Sequence, residues 1–137
     1  MLTETFQRVA YDLDVIYDEL VTINYLFKNE FKHNFERPLH KPLHNTTPLL
    51  KNLDTLVEPL GFVPLSLKFF YSIVGGVNFV WDYDTDDQFM WEMADPLQVR
   101  SLDSLVEEMQ ELTEDENAEN AFLYFAADDL HKDNISD

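Results

Sequence analysis

Carboxylates, histidines and glycines are the residues of this sequence best suited to chemistry, and their spacing decides how far each chemistry carries. Asp82-x-Asp84-x-Asp86 sets three carboxylates at alternate positions, as a hard cation such as calcium favours. An EF-hand loop also needs glycine at its sixth position and a bidentate glutamate at its twelfth. Those positions hold Asp87 and Met93, so the run reads as an exposed turn whose alternate acids face water. His33, His40 and His44 lie close together, and His40-x-x-x-His44 has the spacing of a helical metal pair. Pro42 falls between the two and argues against an uninterrupted helix, leaving a polar linker. Cysteine is absent, which removes disulfides, zinc-thiolate sites and thiol catalysis together. Gly75-Gly76 fits neither a GxGxxG nor a GxxxxGK[ST] loop, and reads as a helix stop before a strand. No GxSxG elbow is present. With 27 acids in the chain, any pair of carboxylates could be nominated as acid and base, so the pattern identifies none. No catalytic residue, cofactor site or metal site is expected, and the chain reads as non-enzymatic.

The charge itself carries more information. The formal net charge is −18, and it is unevenly placed. Through Lys68, 7 basic residues face 9 acids; from Phe69 onward only Arg100 and Lys132 face 18 acids, a balance of −16. Such a field repels nucleic-acid phosphates and anionic membranes and attracts cationic protein surfaces. Acidic solubility is the plainer account of the same charge. Basic patches interleaved with aromatics are missing, which speaks against a nucleic-acid binder. Met1-Leu2-Thr3-Glu4 lacks the start of a signal peptide, and no apolar stretch approaches the length of a membrane span. A cytoplasmic protein is expected, with the sequons at Asn45 and Asn134 accidental.

At 137 residues, 45% of them hydrophobic, the chain has the size and composition of one packed domain. Leu2, Phe6, Val9, Leu13, Ile16, Leu20, Ile23 and Phe27 recur at spacings of four and three, predicting a helix of about 39 Å with one apolar stripe. Leu2, Phe6, Leu13, Ile16, Leu20 and Ile23 are expected on its buried face. The stripe is also heptad-like, but Tyr17, Val21 and Tyr25 widen it, which favours packing on a globular core over a coiled-coil seam. His33 to Pro48, rich in proline and histidine, reads as a linker. A second helix should follow, capped by Thr47 with Pro48 in its first turn, and with Leu49, Leu50, Leu53, Leu56, Val57 and Leu60 on its apolar face before a stop at Gly61. Leu65 to Val74 predicts a third, short helix and Val77 to Tyr83 a strand. Asp84 to Asp87 suits a turn and Phe89 to Met93 the second strand of a hairpin. Leu97-Gln98-Val99 should be extended. Ser101 or Asp103 can cap a fourth helix that buries Leu102, Leu105, Val106, Met109 and Leu112. Ala121 to Ala126, nearly all apolar, reads as a central strand. Three helices followed by strands interrupted by a helix make an α+β fold.

Leu60-Gly61-Phe62-Val63-Pro64-Leu65-Ser66-Leu67-Lys68-Phe69-Phe70-Tyr71-Ser72-Ile73-Val74-Gly75-Gly76 holds a G-x-x-P step, an aromatic-rich helix and a glycine pair before a strand, and in this it resembles the SUKH superfamily of the Smi/Knr type. Asp95-Pro96-Leu97 followed by Ser101 to Leu105 looks like the family's strand-then-helix step, and Phe125 to Ser136 like the segment after its central strand. The resemblance spans roughly residues 46 to 136. It implies a single SUKH-like domain over 1–137, with N-terminal helices packed on a mostly antiparallel sheet and no common catalytic site. Pro64, Gly75 and Gly76 transfer as positions that shape the fold. Family members commonly continue with glycines, a strand and a final helix, where this sequence stops at Asp137. A short variant and a missing C-terminal part are both open, and either leaves a sheet edge to be covered.

What the resemblance implies about function is binding. Many members are immunity proteins that silence a toxin domain, often a nuclease, of polymorphic toxin systems; others are regulatory or scaffold proteins without a toxin. The charge adds a cationic protein partner, with no nucleic acid and no membrane. The expected partner face is the acidic hairpin: Asp82, Asp84, Asp86, Asp87, Trp91, Glu92 and Asp95. Core packing is the default for Trp81 and Trp91, while an exposed tryptophan among those acids would be an anchor ringed by charge.

Overall fold

The N-terminal repeat builds α1, Leu2–Thr22, which stops short of the expected Phe27. Asn24 takes a φ of 58°, the left-handed conformation that asparagine tolerates better than most residues. Its N–H donates to Val21 O (3.0 Å) and that of Tyr25 to Leu20 O (2.9 Å), the paired bonds of a Schellman ending. The chain therefore turns back a few residues before Phe27. Leu13 is buried, with Phe6, Val9, Ala10, Tyr17 and Leu20 packed around the same core. Leu2, Ile16 and Ile23, expected on that face, are exposed, Ile16 at 44% and Ile23 at 69%. The repeat averages 3.5 residues while an α-helix turns every 3.6. At about 100° per residue, Ile16 lies about 60° to one side of Leu13 and Ile23 about 80°, whereas Tyr17 lies about 40° to the other. The core takes the Tyr17 side.

The computed structural model describes residues 1–27, 38–59, 61–81 and 97–114, which form a mixed α+β arrangement of four helices and a small sheet. The sheet has three short antiparallel strands in the order β1 (Leu39–His40), β2 (Gly76–Asn78), β3 (Gln98–Val99). Leu39 faces Val77 and His40 faces Gly76; on the other side Val77 faces Val99 and Asn78 faces Gln98. β1 corrects the reading of His33 to Pro48 as a plain linker: a strand of two residues leaves no periodicity to detect. The expected hairpin turn and second strand, and the strand at Ala121 to Ala126, lie outside the described residues.

The remaining helices are α2 (Thr46–Val57), α3 (Leu65–Ile73) and α4 (Leu102–Glu114). Pro48 does sit in the first turn of α2, but the N-cap is Asn45 rather than Thr47, and the Thr46 hydroxyl donates to Leu43 O (2.6 Å). α2 ends at Val57, ahead of Gly61, because Pro59 has no N–H to continue the ladder. Leu53 of α2, Val63, Tyr71 of α3, and Leu102, Leu105, Val106 and Met109 of α4 form one buried cluster. Leu13, Val74, Val77 and Phe79 form a second, beneath α1 and on the sheet. Phe70 packs against both. Thus α1 packs chiefly on α3 and reaches the sheet at β1, while α2 packs chiefly on α4. The buried face of α4 is the expected one, and Ser101 precedes its first residue, its C=O accepting from Leu105 N (3.1 Å).

α3 passes into β2 through the glycine pair. Gly75 has a φ of 99°, and a Cβ there would stand 1.9 Å from His40 O; at Gly76 it would stand 3.2 Å from Val99 O. Gly61 has open space. Gly75→Ala should therefore destabilise by at least about 2 kcal/mol, while Gly61→Ala is neutral or stabilises by up to about 1 kcal/mol. Leu13→Ala is expected to cost about 2–5 kcal/mol and the exposed Ile16→Ala about 0.5 kcal/mol. Urea midpoints of the four variants check both pairs; equal costs within either pair would contradict this packing.

Candidate functional site

Every residue of the expected partner face, Asp82, Asp84, Asp86, Asp87, Trp91, Glu92 and Asp95, lies outside the described residues, as does His33. The base of that segment is described. Trp81 is half-buried and pairs with Phe27 in an isolated antiparallel bridge. The Tyr25 ring meets it edge-on, with centroids 4.7 Å apart. Tyr25 also donates its hydroxyl to Phe79 O (2.6 Å), and Phe27 packs on Phe79 at 5.9 Å. The early turn at Asn24 is what returns Tyr25 and Phe27 to the end of β2. Trp81 is thus held by an aromatic cluster, in keeping with core packing, and its buried Nε1 has no hydrogen-bond partner among the described residues. The histidines do not converge: His40 lies in β1 and His44 is exposed just before α2. Among the described residues no group of histidines and carboxylates could hold a metal.

The described charges sort into two sets. Of the five described bases, three pair across elements. Lys41 Nζ reaches both oxygens of Asp14 (2.5 and 2.7 Å), joining the end of β1 to α1. Lys68 reaches Asp54 (2.6 Å), joining α3 to α2. Arg100 reaches Glu108 and so ties the end of β3 to α4. Those contacts neutralise acids at the exposed joints between elements. Glu4, Asp12, Asp18 and Glu19 on α1, and Glu107 and Glu111 on α4, remain exposed. Most acids of the described surface therefore lie on the outer sides of these two helices, with Glu58 exposed at the end of α2.

Exposed apolar side chains are scattered, with Tyr11, Val15 and Val21 on other sides of α1 and Leu26 and Leu97 in loops, and two places carry most of the rest. One is the outer flank of α1, where Ile16 and Ile23 stand free of the core. The other is the α2–α3 corner, where Phe62 is 82% exposed beside Leu65. The flank belongs to the heptad repeat Leu2, Val9, Ile16 and Ile23, of which Val9 packs on the core together with Phe6, Leu13 and Leu20. Nothing in the spacing marks Phe62.

Beneath these surfaces Tyr71, buried, donates its hydroxyl to Arg100 O (3.1 Å). Burial pushes its phenol well above the usual tyrosine range, the Arg100 charge opposing and the Asp103 charge adding to the rise. Comparison of the chain with protein-family models, with curated proteins and with solved structures finds no match. Among the described residues no helix is long and apolar enough to cross a membrane.

Because the folded state keeps the Tyr71 proton that the unfolded chain loses near pH 10, the raised phenol contributes stability below about pH 10 and loses it as pH rises further. Tyr71→Phe should cost about 1–2 kcal/mol at neutral pH, and the gap to wild type should narrow by up to about 1.4 kcal/mol per pH unit above about pH 10. Urea unfolding between pH 7 and about pH 11 measures it. A constant gap would mean that the phenol ionises freely in the fold.

Proposed function

We propose that this chain is a non-enzymatic protein-binding domain of SUKH type, acting as an immunity protein that neutralises a cognate toxin by covering a cationic surface. The observation that carries this is the charge: −16 from Phe69 onward. A nuclease is the toxin class that fits best, because an active site that grips phosphates must be basic. The acidic domain would occupy the ground of the substrate. What supports the family part is the order of the resembling pieces, from Leu60–Gly76 through Asp95–Leu105 to Phe125–Ser136. The pairing of Lys41, Lys68 and Arg100 with Asp14, Asp54 and Glu108 supports the electrostatic part, since it leaves the other exposed acids available to a partner.

In this reading the partner face is the hairpin carrying Asp82, Asp84, Asp86, Asp87, Trp91, Glu92 and Asp95. Its acids steer encounter and fix orientation, and aromatic anchors supply most of the affinity. Affinity capture and identification of the bound protein comes first, followed by a test of whether this chain blocks that protein's toxic activity. Association kinetics at two salt concentrations then test the face. The on-rate should fall as ionic strength rises, and Asp84→Lys, Asp86→Lys and Asp87→Lys together should slow association more than they speed dissociation. A captured partner with no cationic surface and no toxic activity overturns the function. An on-rate indifferent to both salt and charge reversal overturns the face.

A further inference from the structure

We infer that the outer flank of α1 is a docking site for a basic amphipathic helix. The inference deepens the reading of a cationic protein partner and rests on it, but it names a different surface and a different partner element. Its foundation is the mismatch between the apolar repeat and the helix that carries it. One half of the seam, Phe6, Leu13 and Leu20, packs on the domain's own core. Of the other half, Leu2, Ile16 and Ile23 are exposed, while Val9 between them packs on the core. At about 100° per residue these three fall within an arc of about 60° on one side of α1. They are spread over about 30 Å of its length, as the rise of about 1.5 Å per residue requires. A helix laid along them would place its own apolar residues at alternating spacings of three and four, as in helix-on-helix recognition.

The charges on the same flank choose the occupant. Asp12 and Glu19 are exposed, seven residues apart, and lie about 100° and 120° from Leu13, just outside the apolar line. They have the places that flanking charges occupy in a coiled-coil pair, where sign selects the partner. Lys41 cannot neutralise them, because it is held by Asp14 on the opposite side of the helix. Arg8 lies further round, about 140° from Leu13, beyond the line of acids. A second copy of this chain would set acids against acids, with −18 on each molecule. A helix with leucine-like residues along its seam and lysine or arginine beside them meets both features.

The probe is a fluorescein-labelled 21-residue peptide of leucine and lysine, with leucine at the seam positions and lysine flanking them. A scrambled peptide of identical composition is the control for charge alone. Anisotropy titrations at about 0.15 M salt should show the patterned peptide binding at least about tenfold more tightly than the scrambled one. Ile16→Ser with Ile23→Ser should erase that preference without altering charge. Asp12→Lys with Glu19→Lys should weaken the patterned peptide by at least about tenfold. Phe62→Ser, at the other exposed apolar corner, should leave it unchanged. Unfolding midpoints like wild type establish that these exposed substitutions leave the fold intact. Equal binding of the two peptides, or a serine double variant that binds like wild type, overturns the site. So does sedimentation showing a wild-type dimer that the serine double variant dissociates, which would assign the flank to a second copy. If the peptide results hold while the captured partner of the immunity reading binds the serine variant normally, the partner reading stands and this flank is not its contact. If the flank binds the patterned peptide and the captured protein is not cationic, the toxin reading falls and the docking site remains.

Discussion

The fold turns on a place where two stretches of backbone come too close for any side chain. Gly75 leaves α3 with a φ of 99°, and the space a Cβ would need is occupied by the carbonyl of His40. One residue on, at Gly76, a Cβ would meet Val99 O in a tight contact that needs only a small shift. The glycine pair is therefore what lets β2 run between β1 and β3, with His40 opposite Gly76 and Val77 flanked by Leu39 and Val99. Everything beyond the sheet inherits its position from this corner. β3 leads into α4, and α3 is held at the height from which it serves both cores.

α3 is the shared wall between those cores. Tyr71 belongs to the α2–α4 cluster and Val74, three residues later, to the α1–sheet cluster, while Phe70 touches both. A helix that serves two cores needs a wide apolar face, and Leu67, Phe69, Phe70, Tyr71 and Ile73 supply it, while Ser66 and Ser72 face water. The Tyr71 hydroxyl, bonded to Arg100 O, then fixes the entry to α4 relative to α3. Shape at the corner and a satisfied polar group in the core thus set the frame together. Neither depends on the charges outside.

Much of this frame was legible in residue types, and the failures share a cause. Long amphipathic segments were read well: α3 and α4 lie where their apolar residues predicted, and Pro48 falls in the first turn of α2. Ends and faces were read poorly wherever a single residue or a small angle decided the matter. Asn24 ended α1 because a left-handed turn brings Tyr25 and Phe27 onto the sheet, a tertiary reward invisible in the local pattern. Ile16 and Ile23 matched the stripe in spacing but missed the core in angle, since a 3.5-residue repeat drifts across a 3.6-residue helix. β1 was missed because it is two residues long and exists only through its partner. The expected acidic face rests on charge and aromatics within one segment. The flank of α1 needed the angle between side chains and core, which a list of spacings does not contain.

The placement of the cations explains how so acidic a chain keeps its frame. Self-repulsion at −18 works against the compact state, and exposed ion pairs return only about 0.2–1 kcal/mol each. Pairs of that size do not hold the fold together; buried apolar contacts do. Yet each of the three described pairs bridges two elements whose acids would otherwise confront the rest of the molecule without relief. Asp14 is neutralised where α1 meets the end of β1, Asp54 where α2 meets α3, and Glu108 where α4 meets the end of β3. Local neutralisation at the joints lets the excess acid reside on the outer sides of α1 and α4, where water and salt screen it. A surface arranged in this way is quiet in isolation and strongly biased towards a cationic surface that displaces the solvent. In the docking proposed above, the exposed isoleucines of α1 would give such a surface something apolar to hold once charge has brought it near.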